Sequence, residues 1–311
     1  MKITFHGGVR EVGGSCVVIE TDDAKIALDY GIKVEEKLHD CLPKDLDLVI
    51  LSHAHLDHSG ALLSLAKTNT VVVGSEATRD ITVELLRDLI KVQRMNGNNI
   101  PYSNRDVAKI RRLWWVRDSV ALPGMEVRLY PAGHVLGARM VDIQAEGKEV
   151  LYTGDFCLHS TEILEGSNLE KLPREPEALI VESTYGGTNR CNRPELIKRL
   201  FIEINEAMDR KGNVLIPAFA FHRSQEMAKR IDTAMWGGDF PNYNVYVISN
   251  LAERITGHFN HHKNLLTEEI RGQENPFNYK YVKHLHRIEQ IVEPAIVICT
   301  SGFGHAGASR K

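Results

Sequence analysis

The sequence predicts a two-domain α/β protein, and three observations lead there. The chain has 311 residues, and at roughly 150 residues per domain that gives about two domains. Short β-branched runs broken by glycines fill its first half, and strands alternate with helices from about residue 192. Within the first half sits a cluster of polar residues, His53, His55, Asp57 and His58, directly after a nearly continuous apolar run.

The elements follow in order. Lys2–His6, Ser15–Thr21, Lys25–Leu28 and Leu48–Ser52 read as strands, with Gly7-Gly8 and Gly13-Gly14 as breaks. The run Leu46, Leu48, Val49, Ile50 and Leu51 has the continuous apolarity of a strand buried on both faces. Val71–Val73 is another strand. Ser75 to about Met95 has helical spacing through Ile81, Leu85, Leu86, Leu89, Ile90 and Val92. Val127–Tyr130, Met140–Gln144 and Val150–Tyr152 return to strand character. Beyond them come a helix over Pro194–Met208, a strand over Val214–Ile216 and a helix over Arg223–Ile231. A strand over Val245–Ile248, a helix over Leu251–Phe259 and a strand over Ile296–Cys299 complete the series. The polar stretch Thr267–Lys280, with Pro276, reads as irregular.

Composition narrows the function classes. Forty-three per cent of residues are apolar and 25% charged, close to the globular average. That excludes a disordered tail, a collagen-like repeat and a mucin-like stalk. Thirty-eight basic against 41 acidic residues give a formal charge of −3. No overall basic field draws the protein to nucleic acid, so any such contact must come from a local patch or a metal site. The N-terminus has no secretory pattern, and no run of about eighteen apolar residues predicts a membrane span. The five cysteines are scattered without a Cys-x-x-Cys pair. A disulfide framework or thiolate zinc site is therefore not expected, and the cytoplasm is the expected compartment.

The segment Ser52-His53-Ala54-His55-Leu56-Asp57-His58-Ser59-Gly60 carries the chemistry. Imidazole nitrogen and carboxylate oxygen suit zinc and its neighbours. A strand-end loop can point the alternate residues His53 and His55 at one ion, while Asp57 and His58 from the following turn face a second. A lone histidine is more often a surface or satisfied core residue. That account would need three histidines and an acid crowded together by chance.

These residues resemble the His-x-His-x-Asp-His motif of the metallo-β-lactamase superfamily. Further matches follow in chain order: Asp29 after the strand Lys25–Leu28, His134 in Pro131-Ala132-Gly133-His134, and Asp155 in Tyr152-Thr153-Gly154-Asp155. The resemblance implies that one metal takes His53, His55 and His134, that a second takes Asp57 and His58, and that Asp155 bridges both. Asp29 would orient a ligand histidine from behind. Two divalent ions, zinc with manganese as the alternative, would hold a bridging hydroxide and clamp a phosphodiester. Val181-Glu182-Ser183-Thr184-Tyr185-Gly186 resembles the acidic motif that opens the β-CASP domain, which marks the nucleic-acid-processing branch. Gly7 to Cys16, Ile216 to Glu226 and Thr300 to Ser309 also fit that branch.

The implied fold is a metallo-β-lactamase αββα sandwich over residues 1–190, with an incomplete β-CASP α/β domain over 191–311. The implied function is a metal-dependent ribonuclease in which Asp57, Asp155 and Glu182 are catalytic. Single-stranded RNA is the expected substrate, with DNA as the alternative. No membrane is involved, and a homodimer or an RNA-processing complex is the expected assembly. Ser301, Gly302, His305 and Arg223 are candidate substrate contacts. In this family, two further histidine motifs follow the Ser-Gly loop, one supplying a general acid and one a last metal ligand. The chain ends at Lys311, before both. Slow or impaired turnover is therefore expected, since general acid catalysis contributes ~10²–10⁴ in rate.

Two rival functions remain open at this point. One is a non-catalytic RNA-binding or assembly subunit, but such subunits usually lose the histidine motif. The other is a small-molecule metallo-hydrolase, against which Glu182 to Gly186 argues. Several other residues take bland readings. His222, beside Arg223 at a helix start, is a phosphate contact or a surface cap. His258, His261 and His262 are a solvated helix face. Trp114 and Trp115 pack in a core or edge. The basic stretch Arg87 to Arg112 is a solvated face.

Overall fold

The structure is a computed structural model that describes residues 1–33, 43, 45–189 and 191–300. The chain divides into two compact units, Met1–Glu182 and Ser183 onward.

In the first unit, β1 (Lys2–Gly7), β2 (Cys16–Glu20) and β3 (Lys25–Leu28) form an antiparallel meander. β4 (Leu48–Ile50), β5 (Val71–Gly74) and β6 (Trp114–Val116) then join in parallel, giving the strand order β1-β2-β3-β4-β5-β6. The side-chain period of two sorts the apolar residues between two cores. Val17, Ile19, Ile26, Leu28, Leu48, Ile50 and Val73 face a second sheet. Val18, Ala27, Val49, Leu51 and Val72 face helices. The second sheet runs β11-β10-β9-β8-β7. Its strands are β7 (Ser119–Leu122), β8 (Met125–Pro131), β9 (Arg139–Ala145), β10 (Lys148–Tyr152) and β11 (Ala178–Ile180). β11 pairs in parallel with β10 and the other pairs are antiparallel.

The helical layer holds α1 (Leu56–Ser59), a 3₁₀ segment Gly60–Lys67, α2 (Glu76–Met95) and α3 (Asn104–Arg112). Ser75 caps α2 by accepting from the Thr78 amide at 3.1 Å. Ser103 and Asp106 form a capping box on α3. The basic stretch therefore lies on two packed helices, and several of its charges already have partners. Arg87 pairs with Glu84, Arg94 donates to the Tyr102 carbonyl and Arg111 lies 3.6 Å from Asp80. Trp114 is buried and donates to the Gly74 carbonyl, while Trp115 is half exposed on the edge strand.

The second unit carries a four-stranded parallel sheet in the order β12-β15-β13-β14. Its strands are β12 (Val214–Pro217), β13 (Asn244–Ile248), β14 (Val282–Leu285) and β15 (Ala295–Cys299). Its helices are α4 (Arg193–Asp209), α5 (Arg223–Gly237), α6 (Asn250–His261) and α7 (Glu268–Arg271), the last a single turn inside the stretch read as irregular. Tyr246, Ile248, Ala295, Val297 and Cys299 form one core face. Two histidine readings are corrected here. His262 is buried at the end of α6, packed edge-on against His261, so it is not part of a solvated face. His222 is buried rather than a surface cap.

One close approach ties the fold to the polar cluster. A Cβ on Gly31 would lie 1.7 Å from the Asp57 carbonyl oxygen. The backbone of residues 30–32 bonds directly to α1 there, through Tyr30 N to His58 O and Ile32 N to Leu56 O. Gly31→Ala is expected to destabilise the fold by about 3 kcal/mol or more. Gly257→Ala, at an open position in α6, is expected to stabilise it by about 0.5–1 kcal/mol. Urea midpoints of the two variants check both signs.

Candidate metal centre

The polar residues sit at the carboxyl ends of strands. Asp29 follows β3, His53 and His55 follow β4, His134 follows β8 and Asp155 follows β10. Asp57 and His58 occupy α1, whose short turn is held by His58 N and Ser59 N bonding back to the His55 carbonyl. The His134 loop is pinned from α2, because Ser75 Oγ and Thr78 Oγ1 both donate to the Gly137 carbonyl.

Asp29 is fully buried and adopts φ 61°. Its carboxylate accepts four hydrogen bonds. Oδ1 takes the Ser52 amide at 2.7 Å. Oδ2 takes Ser52 Oγ at 2.8 Å, His58 Nδ1 at 2.7 Å and Tyr152 OH at 2.7 Å. These bonds settle where ring protons sit. Ser52 Oγ has one proton and gives it to Asp29, so its 3.0 Å contact with His53 Nδ1 is an N–H donated by the ring. His58 Nδ1 likewise donates to Asp29. In both rings, Nε2 is left to face the interior of the site.

Two donor groups result. His53 Nε2, His55 Nδ1, His134 Nε2 and an Asp155 oxygen all lie within 4.8 Å of one another. The nitrogen separations are 3.0 Å for His53–His55 and 3.3 Å for His134–His55. Tetrahedral zinc with Zn–N bonds of 2.0–2.1 Å requires an edge of about 3.3 Å, so the spacing fits such an ion. Asp155 Oδ2 lies 3.8 Å from His53 Nε2 and 3.5 Å from His134 Nε2. Its other oxygen, Oδ1, lies 3.4 Å from His58 Nε2, which is 3.7 Å from Asp57 Oδ2. One carboxylate thus turns an oxygen to each group. His53 and His58 are buried at the floor, whereas His55, Asp57, His134 and Asp155 are half-buried toward solvent.

The electrostatics are those of a cation site. Burial, and then the neighbouring His58, His55 and His134, push the His53 ring well below the ordinary histidine range and keep it neutral. Burial also opposes charge on His58, but Asp29, Asp155 and Asp57 outweigh it and hold that ring well above the ordinary range. Burial raises Asp155, yet the hydrogen bond and charge of His58, followed by His134 and His55, pull its carboxyl down to about 2. Burial and the Asp29 charge push the Tyr152 hydroxyl up, fixing it as a donor.

Glu182 lies two residues beyond β11, and its amide donates to Thr153 Oγ1 at 3.3 Å. Because Tyr152 and Ile180 are register partners in parallel strands, Glu182 and Asp155 leave the sheet at the same end. Arg223 opens α5 in the second unit, where it is paired with Glu226. Ser301, Gly302 and His305 lie outside the described residues. Two residues in the network had no role in the sequence reading: Ser52, which relays Asp29 to His53, and Tyr152. Their signals were adjacency, one residue before His53 and three before Asp155.

Residues 9–187 match the metallo-beta-lactamase superfamily, and residues 224–311 match the Beta-Casp domain. The chain is 32% identical, over 99% of its length, to the probable RNase MJ4 of Methanocaldococcus jannaschii, of which it covers 74%. It is 31% identical to RNase aCSPSF2 of Saccharolobus solfataricus, covering 97% of the chain and 61% of that protein. It is also 31% identical to cleavage and polyadenylation specificity factor subunit 3 of Dictyostelium discoideum, covering 100% of the chain and 43% of that protein. The chain thus spans less than two thirds of the last two. A crystal structure of a protein of unknown function from Enterococcus faecalis shares the fold at TM-score 0.55 and 16% identity, over 96% of this chain and 76% of that one.

The raised His58 and lowered His53 give a signed pH prediction. Without a cation His58 carries a proton at neutral pH, and a divalent ion taking its Nε2 must displace it. Zinc binding should therefore release protons, and its apparent affinity should rise with pH up to the raised His58 value. Calorimetry in two buffers of different ionisation enthalpy should give different heats, and identical heats would contradict the assignment.

Proposed function

Because the chain belongs to the metallo-beta-lactamase superfamily and carries a Beta-Casp domain, we propose that it is a metal-dependent ribonuclease that hydrolyses RNA phosphodiesters. The observation that carries this reading is the pair of donor groups sharing Asp155. His53, His55, His134 and Asp155 Oδ2 would hold one divalent cation. Asp57, His58 and Asp155 Oδ1 would hold a second. The nitrogen and oxygen donors, without thiolate, suit zinc and admit manganese. When bound, such ions supply Lewis acidity, bringing the pKa of water toward neutrality and countering the charge of a phosphodiester.

The chain's own residues do the positioning. Asp29 fixes the His58 ring through Nδ1 and, by way of Ser52, the His53 ring through its own Nδ1. Asp57, at the first turn of α1, presents a half-buried carboxylate on the side open to solvent. Glu182 brings a further carboxylate to the strand end that carries Asp155, where it can hold or pass a proton. Single-stranded RNA is the proposed substrate, since relatives named RNase and cleavage and polyadenylation specificity factor align with nearly the whole chain. Among the described residues, no helix is long and apolar enough to cross a membrane.

The test is cleavage of a 5′-labelled single-stranded RNA with zinc or manganese supplied. Cleavage should appear and should fall in Asp57→Ala by more than the roughly 100-fold that loss of an outer partner costs. Cleavage that persists in that variant would point to a contaminant. Bound metal without cleavage would overturn the nuclease reading for this chain.

A further inference from the structure

The second unit carries Phe219 and Arg223 on one fastened loop at the carboxyl end of β12, and Glu226 joins Arg223 to a second arginine, Arg193, at the start of α4. In parallel α/β sheets this end is the usual ligand side. The loop 218–223 is fastened at nearly every residue. Ala218 N bonds to the Cys299 carbonyl at 2.9 Å, and the Phe219 carbonyl accepts from Ser224 N at 3.1 Å and Ser224 Oγ at 2.8 Å. The Ala220 carbonyl accepts from Gln225 Nε2 at 3.0 Å, and His222 N donates to Gln225 Oε1 at 2.7 Å. Arg223 N closes a three-residue turn onto the Phe221 carbonyl at 3.0 Å, with the buried His222 at φ 70° and ψ −54°. That backbone conformation is strained for a residue with a side chain. Ala218, Ala220, Phe221 and His222 are all buried, yet Phe219 is 45% exposed.

Glu226, one turn into α5, is 6% exposed at its side chain and gives one oxygen to each of two arginines. Oε2 accepts from Arg223 Nη1 at 2.8 Å, and Oε1 accepts from Arg193 Nη2. Those arginines are the first residues of α5 and α4, and their side chains are 48% and 43% exposed. A single carboxylate neutralises one of the two charges and orders both guanidiniums, each of which carries five donors. With a net charge of −3 on the chain, this is the kind of local patch that contact with a polyanion needs.

We propose that Arg193 and Arg223, held by Glu226, grip a backbone phosphate of single-stranded RNA while Phe219 stacks on a neighbouring base. An exposed aromatic ring on a fastened backbone, four residues before a cationic donor, is the combination that binds single strands without reading their sequence. The inference rests on the ribonuclease reading for the identity of its ligand.

Equilibrium binding of a fluorescently labelled oligouridylate across a salt series tests it, with the oligonucleotide checked for integrity after each titration. In Arg193→Gln/Arg223→Gln the slope of log affinity against log salt should become shallower by about 0.7 for each phosphate that is no longer gripped. Arg193→Lys/Arg223→Lys, which keeps both charges, should keep the slope. Phe219→Ala should bind roughly fivefold or more weakly with the slope unchanged, and Phe219→Trp should restore affinity. A purely structural role would lower the melting temperature of the variants and leave slope and affinity alone. An unchanged slope in the glutamine pair, or unchanged affinity in Phe219→Ala, would overturn the proposal. RNA cleavage by the unaltered chain together with an unchanged slope would sink this subsite and spare the nuclease. A shallower slope in a chain that never cleaves would do the reverse.

Discussion

Four hydrogen bonds converge on the Asp29 carboxylate, and the metal centre is arranged around them. Both oxygens are used, one by the Ser52 amide and the other by Ser52 Oγ, His58 and Tyr152. An ionised carboxylate can be kept out of water only with such partners, and charge-assisted bonds contribute roughly 1.5–3 kcal/mol each. No other side chain of that size offers acceptors alone on both branches; an amide would put a donor against three donors. The Tyr152 bond also crosses from the five-stranded sheet to a loop of the six-stranded one, so the network that orients histidines also locks the two layers of the sandwich.

Asp155 is the second constraint. Its half-buried carboxylate faces His53 and His134 with one oxygen and His58 with the other, so the two donor groups are one object. Everything in that object comes from the ends of strands or from the turn after one. A well-packed pair of sheets fixes those ends, and the connecting loops are free to carry polar chemistry.

Much of this was legible from the sequence. The apolar run at Leu48–Leu51 reads as a buried strand, and the crowding of three histidines and an aspartate at its end marks where the polar side chains gather. The elements that escaped notice are short or polar. β11 has three residues, β14 carries Lys283 and His284, and α3 buries only Val107 and Ile110 amid its charges. Their stability comes from partners distant in the chain, which local pattern does not record. Ser52 and Tyr152 went unread for a related reason. A serine before a histidine and a tyrosine inside an apolar strand are ordinary until the fold brings Asp29 between them. His222 carries a φ that sequence rules assign to glycine, so its turn could not be foreseen either.

The most direct test of the Asp29 network is the zinc affinity of Asp29→Asn against the unaltered chain, by competition with a chelator, with the melting temperature confirming that both are folded. If Asp29 sets the tautomer and orientation of His53 and His58, affinity should drop about 10- to 100-fold. Equal affinity in a folded variant would mean that the histidines find their positions without it.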